Sequence, residues 1–404
     1  MPPEPVPTTA PVKPKSAATS FDPVDPSVVT TAAERKPIAG TALCLSGGGS
    51  RAMLFHAGAI LRLAEVGALG GVDCVSSVSG GSITAGLLAM VWVRNRGAPT
   101  PPIVRSELIA PLLDLSTKFI DIPAFLLGTF LPGSSPGRRL AAALEQHLYG
   151  GFRLGDLPDA PEFVINATNL GTGVLWRFSK QFVGDYQVGG GPRSGLNLSM
   201  AVAASSAFPP FFTPFTLRFG KETTWPVSGN LAPDRLPAFR THADLGDGGI
   251  YDNLGLETAW KRYGTVLVSD GGGTYKLDPD LPTDFIRLAI RTTETIDHQV
   301  RSLRLRQIMD SYEPSGGRPP RRKGAFWGIR TPLSKYPEQP PGIVADKARS
   351  DELAQVGTHM RGLDPVMARR LVNWGYAICD AALRSYVKAI PLDTPKLPFL
   401  SDGI

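Results

Sequence analysis

From residue 40 onward the chain alternates short apolar runs, glycine turns and longer apolar stretches. Thr41 to Leu45 (TALCL) reads as a buried strand, followed by Ser46-Gly-Gly-Gly-Ser-Arg51 and a helix from Ala52 to Val66. Val72 to Val78 (VDCVSSV) predicts a second strand, Ser79 to Ser82 a turn, and Ile83 to Val93 a buried helix. Phe163 to Thr168 and Leu175 to Phe178 read as further strands, then Leu198 to Ala204 as a helix. Ala243 to Leu245 and Thr265 to Ser269 read as strands, and Asp284 to Ser311 and Leu363 to Val387 as helices. Residues 102–150 look helical, and within them 119–131 are unusually apolar. Strand, glycine turn and helix in repetition predict an α/β domain with a mainly parallel sheet.

Composition sets the edges of that domain. Residues 1–37 hold nine prolines and one aromatic, Phe21, with four acids and four bases, and read as a disordered leader. The 404 residues carry a net charge of +6. Most of that excess lies in 314–341, where Arg318, Arg321, Arg322, Lys323, Arg330 and Lys335 face one acid, Glu338. This segment reads as a proline-rich basic loop, and Phe326 and Trp327 within it suit anionic lipid headgroups. The rest of the chain is near neutral, which argues against a nucleic-acid-binding surface. Three scattered cysteines, Cys44, Cys74 and Cys379, offer neither a disulfide framework nor a zinc site. The N-terminus shows no apolar secretion signal, and the expected location is the cytoplasm, with peripheral contact at the inner membrane face.

Three places carry candidate chemistry. Ser77-Val-Ser-Gly-Gly81 puts Ser79 between a strand and a helix with small neighbours, the pattern of a nucleophile elbow. Gly47, Gly48 and Gly49 allow backbone N–H groups to converge on one point, as an oxyanion hole or an anion nest. The same residues fit a dinucleotide fingerprint (Gly47, Gly49, Ala52), with Asp73 as the distant acid. Asp247-Gly248-Gly249, closely followed by Asn253, sets a carboxylate on a tight turn. Asp270-Gly271-Gly272 does the same, and local chemistry does not separate the two. The five histidines are His56, His147, His242, His298 and His359, and none looks like a loop-borne catalytic base. A carboxylate base in a dry pocket fits better, because burial strengthens it.

Together these motifs resemble the patatin-like phospholipases. The glycine run Ser46–Arg51, the elbow Ser77–Gly81, the stretch Ile165-Asn-Ala-Thr-Asn-Leu-Gly-Thr-Gly173, the block Ala204-Ser-Ser-Ala-Phe-Pro-Pro-Phe211 and Asp247-Gly-Gly-Ile-Tyr-Asp-Asn253 follow the family's order. Ser46 and Ser77 stand where the family usually has Asp and Gly. The resemblance implies a three-layer α/β/α fold, with the catalytic core at 40–275 and a helical extension at 276–404 packed on it. It implies a lipid acyl hydrolase acting on phospholipid esters without metal or cofactor. Ser79 would be the nucleophile and Asp247 the base. Gly47, Gly48 and Gly49 would form the oxyanion hole, with Arg51 bracing their loop. Ser77, Gly80, Gly81, Gly248, Gly249 and Asn253 would support the turns, leaving Asp270 a structural role. An esterase on other esters, or a phosphate-binding protein using Gly47–Ala52, are the alternatives.

Overall fold

The computed structural model describes residues 38–118, 135–209, 212–275, 277–314, 319–357 and 362–404. The leader 1–37, the apolar stretch 119–131, Pro210, Phe211, Arg318 and His359 lie outside them.

Five parallel strands form the centre, in the spatial order β11 (Lys323–Gly328), β10 (Tyr263–Asp270), β1 (Ile38–Leu45), β2 (Cys74–Val78) and β3 (Glu162–Asn169). Beyond β3 the sheet turns antiparallel through β4 (Val174–Phe178), β5 (Val183–Asp185), β6 (Gly189–Gly191) and β8 (Val227–Ser228). β7 (Phe215–Arg218) reaches the sheet through β9 (His242–Asp247).

Period-2 alternation gives the sheet two buried faces. Leu43, Leu45 and Val75 point into the larger core, which includes buried residues of α1 (Gly49–Glu65), α2 (Gly80–Arg94) and α10 (Pro365–Tyr386). Ala42, Cys44, Cys74, Val266 and Val268 point into the other core, under α7 (Leu256–Trp260) and α8 (Phe285–Tyr312). Helices therefore cover both faces of a mostly parallel sheet, as the repeating pattern predicts. Three shorter helices, α3 (Ala110–Lys118), α4 (Pro136–Leu144) and α5 (Leu198–Ser205), extend the first layer, and α6 (Gly249–Asp252) and α9 (Lys347–Gln355) flank the site described below.

α1 is buried from Gly49 to Leu63, on every side. It can be, because α10 crosses it at backbone contact. A Cβ on Gly58 would sit 1.9 Å from the Val372 carbonyl oxygen, and one on Gly375 would sit 1.8 Å from that of Phe55. Arg62, with a fully buried side chain, ties the pair together through an ion pair of 2.7 Å to Asp380.

The basic segment is not a free loop. Lys323–Gly328 pairs in register with Thr265–Asp270 as the edge strand β11. Trp327 is fully buried and donates its indole N–H to Ser269 Oγ at 2.9 Å. Arg322 lies over the Trp260 ring at 3.7 Å. The alternation of KGAFWG decides this: one face of the strand must be buried, and Ala325 and Trp327 supply it. Trp327 is therefore closed to headgroups, and Phe326, on the other face of the strand, is half-buried against the second core. The helices α1 and α2 also begin three residues earlier than expected, because the glycines read as turn are their first residues.

Candidate active site

β3 has two edges. β4 occupies one; on the other, β2 pairs as far as Val78 opposite Asn166, and β9 pairs from Asp247 opposite Ala167. β2 and β9 thus run head-on along one edge and meet at their C-terminal ends. Ser79 leaves the first end and Asp247 closes the second. Residues far apart in sequence are brought together by the register of a single strand.

Ser79 has φ 50° and ψ −121°, a conformation that costs a non-glycine residue about 1–3 kcal/mol. It sits at the first turn of α2, whose dipole favours negative charge there. The turn is possible because its neighbours are small. A Cβ on Gly80 would meet the Gly49 carbonyl oxygen at 2.2 Å, and one on Gly81 would meet that of Leu45 at 2.4 Å. Ser205 holds the elbow from the far side. Its hydroxyl accepts the Ser79 N–H at 2.9 Å and donates to the Asn166 carbonyl at 2.6 Å. Ser82 Oγ lies 2.9 Å from Ser205 Oγ and donates to Ser77 Oγ at 3.0 Å. Ser77 donates in turn to the Val164 carbonyl at 3.3 Å, so a serine in place of glycine is buried with its hydroxyl satisfied. The sequence reading noted Ser205 only as part of a small-residue block.

Asp247 is buried, and its Oδ1 accepts the Gly249 N–H at 2.7 Å. Burial pushes its carboxyl up to about 7, against the opposing pull of that N–H and of a hydrogen bond from the Ser79 hydroxyl; the Asp297 carboxyl adds a further upward push. Asp297, which sequence reasoning missed, lines the same cavity. Burial, above all, raises its own carboxyl to about 6. Its only sequence signal is a place in a helix full of other charges. Gly248 needs to be glycine, since a Cβ there would meet the Asn166 carbonyl oxygen at 2.4 Å.

The glycine run divides its labour. Gly48 and Gly49 have φ of +142° and +61° and line the cavity with Ser79 and Asp247. Among the described residues no backbone acceptor takes their N–H groups. Gly47 is different: its N–H donates to the Asn253 carbonyl at 3.0 Å, so it is not free for an oxyanion, and the expected third donor is corrected. Asn253 pins this loop, and a Cβ on Gly47 would be 2.2 Å from its Oδ1. Ser46 accepts the Gly271 N–H at 2.9 Å. Arg51 braces neighbouring segments rather than its own loop. Its Nε donates to the Gly271 carbonyl at 2.9 Å and Nη1 to the Val356 carbonyl, while Nη2 is buried without a partner. Burial lowers the guanidinium to about 9, with Arg301 adding to the effect, which leaves it charged at neutral pH.

The remaining candidates separate cleanly. Asp270 is buried in an ion pair with Arg301 at 2.6 Å. Burial works to raise its carboxyl, but Arg301 and then Arg330 hold it below the usual range. His56 is buried between Ser269 Oγ and the Ser46 carbonyl, and burial lowers it to about 4. Asp73, the acid a dinucleotide site would use, accepts the Thr41 N–H at 2.7 Å, at the opposite end of β1 from the glycine run. Among the described residues no group of three His, Cys, Asp or Glu is placed to hold a metal ion.

The site opens into a cavity of about 560 Å³. Phe208, Phe212, Ala354 and Val356 make one wall apolar; Glu294, Asp297 and His298 of α8 make another polar. Such a space suits a ligand with an apolar part and a polar part.

Comparison with known proteins gives three findings. A family model described as patatin-like phospholipase matches residues 43–260. No curated protein sequence matches. Solved structures that resemble the chain include a human GIVD cytosolic phospholipase A2, at 15% identity and TM-score 0.49 over 87% of this chain and 60% of that one. They also include VipD from Legionella pneumophila, at 15% identity and TM-score 0.36 over 86% and 67%. The chain thus spans about 60% of the length of the human protein.

Proposed function

The chain belongs to the patatin-like phospholipase family, and on that premise we propose that it cleaves carboxylic esters of phospholipids through Ser79 and Asp247. One arrangement carries the proposal: a strained serine at a helix N-terminus and a buried carboxyl, raised by burial to about 7, meet where β2 and β9 end on one edge of β3 and line one cavity. A base poised there is half ionised at neutral pH and strong enough to accept a serine proton in the transition state.

Asp247 takes the hydroxyl proton as Ser79 Oγ bonds to the ester carbonyl carbon. The carbonyl oxygen becomes an oxyanion held by the N–H groups of Gly48 and Gly49, each such donor worth about 3 kcal/mol in comparable sites. The tetrahedral species collapses by breaking the bond to the alcohol oxygen, which leaves with the proton from Asp247. Water then attacks the acyl-serine, giving its proton to the same carboxylate; the bond to Ser79 Oγ breaks, the carboxyl returns the proton to Oγ, and the fatty acid is released. Arg51, charged and lining the cavity, favours a phospholipid over a neutral ester through its positive potential.

The test is labelling by a fluorophosphonate probe, paired with fatty-acid release from phosphatidylcholine. Wild type labels and releases fatty acid; Ser79→Ala does neither, and Asp247→Asn is strongly reduced in both. Labelling that survives Asp247→Asn but is lost in Asp270→Asn would overturn the assignment of the base.

A further inference from the structure

The cavity wall contributed by α8 has a second side. With about 100° between successive residues of a helix, Ile290, Glu294, Asp297 and Arg301 project to one side, where they line the cavity. Phe285, Leu288, Ile296 and Leu303 project to the opposite side and are exposed. Just ahead of the helix, Leu277 and Leu281 are exposed as well. The values are 87% for Leu277, 57% for Leu281, 84% for Phe285 and 58% for Ile296. Single exposed apolar residues are ordinary on any protein surface. A run of them on one segment, backed by the cavity wall, marks an interaction site.

We propose that residues 277–296 form the face that this protein lays on a zwitterionic lipid surface, with Leu277, Leu281, Phe285 and Leu288 entering the acyl boundary. Two observations select that occupant. First, the face reaches the cavity mouth at its N-terminal end, where Tyr275 lines the cavity two residues before the exposed Leu277. A lipid withdrawn from the surface would reach the cavity around that end of the segment. Second, the local charge is wrong for an anionic membrane. Asp278, Asp280 and Asp284 stand exposed among Leu277, Leu281 and Phe285, against Arg287 and Arg291. An anionic headgroup layer would be repelled here, whereas a zwitterionic one would not. This relocates the membrane contact expected for the basic segment, whose Trp327 is buried. The contact is peripheral in kind; among the described residues no helix is long and apolar enough to cross a membrane.

The inference rests on reading the cavity as a lipid-ester site, and two readouts keep them apart. The full chain and a Leu277→Ser/Leu281→Ser/Phe285→Ser variant are compared by co-sedimentation with phosphatidylcholine vesicles, with and without added phosphatidylserine. Both are assayed on p-nitrophenyl butyrate, a soluble ester. The expected result is binding of wild type to phosphatidylcholine alone and binding of the variant weaker by at least about tenfold, with equal rates on the soluble ester. If the triple variant loses the soluble-ester rate as well, Phe285→Ser alone decides, with a smaller loss of binding expected. Vesicle binding lost in the variant while wild type shows no esterase activity would uphold the surface and overturn the catalytic reading. Equal binding by both proteins, no binding by wild type, or binding only when phosphatidylserine is present would overturn the surface. So would a wild-type dimer that the variant abolishes, which would make a second copy the occupant.

Discussion

Asp247 and Asp270 are both buried aspartates followed by two glycines, yet asparagine at the two positions should move stability in opposite directions. The Asp247 carboxyl goes from 3.8 in an exposed chain to about 7 in the fold. At about 1.4 kcal/mol per pH unit, that displacement opposes folding by ~4 kcal/mol once the pH exceeds both values. Below 3.8 folded and unfolded chains are both protonated there, and the effect vanishes. Between 3.8 and about 7 only the unfolded chain ionises, and stability falls as pH rises. Asp247→Asn removes this titration, and its side-chain oxygen can still accept the Gly249 N–H. The variant should therefore be more stable than wild type by up to ~4 kcal/mol at pH 8 and by only ~1 kcal/mol at pH 4.5. Asp270→Asn does the reverse. It leaves the Arg301 guanidinium, 5% exposed, without its counter-charge and should cost about 3–5 kcal/mol at neutral pH. Because the Asp270 carboxyl is held below its ordinary 3.8, that deficit persists at pH 4.5 and shrinks only below about 3.8, where the unfolded and then the folded wild-type carboxylate become protonated. Urea unfolding of the three proteins at both pH values reads these differences directly. An Asp247→Asn variant no more stable than wild type at pH 8, or equally stabilised at pH 4.5, would refute the argument from burial.

Ser205→Ala removes the acceptor for the Ser79 N–H and should cost about 1–3 kcal/mol. Its kcat should fall more than its KM changes, because the elbow is displaced while the cavity is kept; steady-state kinetics beside a melting curve would check both. In wild type, activity should rise with pH through about 7 as Asp247 ionises. Asp297→Asn takes away one of the influences that raise Asp247, so this acid limb should move to lower pH in a kcat/KM profile. An unmoved limb would show that Asp297 does not act on the base.

How much was legible beforehand follows from what each residue depends on. Ser79 and Asp247 stood out because their turns demand small neighbours. Gly80 approaches the Gly49 carbonyl and Gly248 approaches that of Asn166, so the requirement is written beside each candidate residue itself. Ser205 carries no such mark. Its value lies in a contact with Ser79 across 126 positions, which only the fold creates. Gly47 looked interchangeable with Gly48 until the Asn253 carbonyl was found on its N–H. β11 was hidden because Pro319, Pro320 and Pro332 and a cluster of arginines surround a strand of six residues. The outer face of α8 was hidden for another reason. A helix that turns Glu294, Asp297 and Arg301 toward the cavity and Phe285, Leu288, Ile296 and Leu303 toward the outside shows no clean apolar period of 3.6.

The crossing of α1 and α10 bears on how this protein is made. α1 begins with the glycines beside Ser79 and is complete by residue 65, but the helix that covers it ends at residue 386. A ribosome adding about 5–20 residues per second would hold α1 without its cover for tens of seconds. β11, the edge partner of β10, also arrives late. The stretch that matches the family ends at residue 260, before either of these pieces. Hydrolytic competence would therefore be acquired only once α10 docks and fixes the glycines at the start of α1. A chain interrupted after the last recognisable motif would carry every reactive group and still lack the scaffold that aligns them.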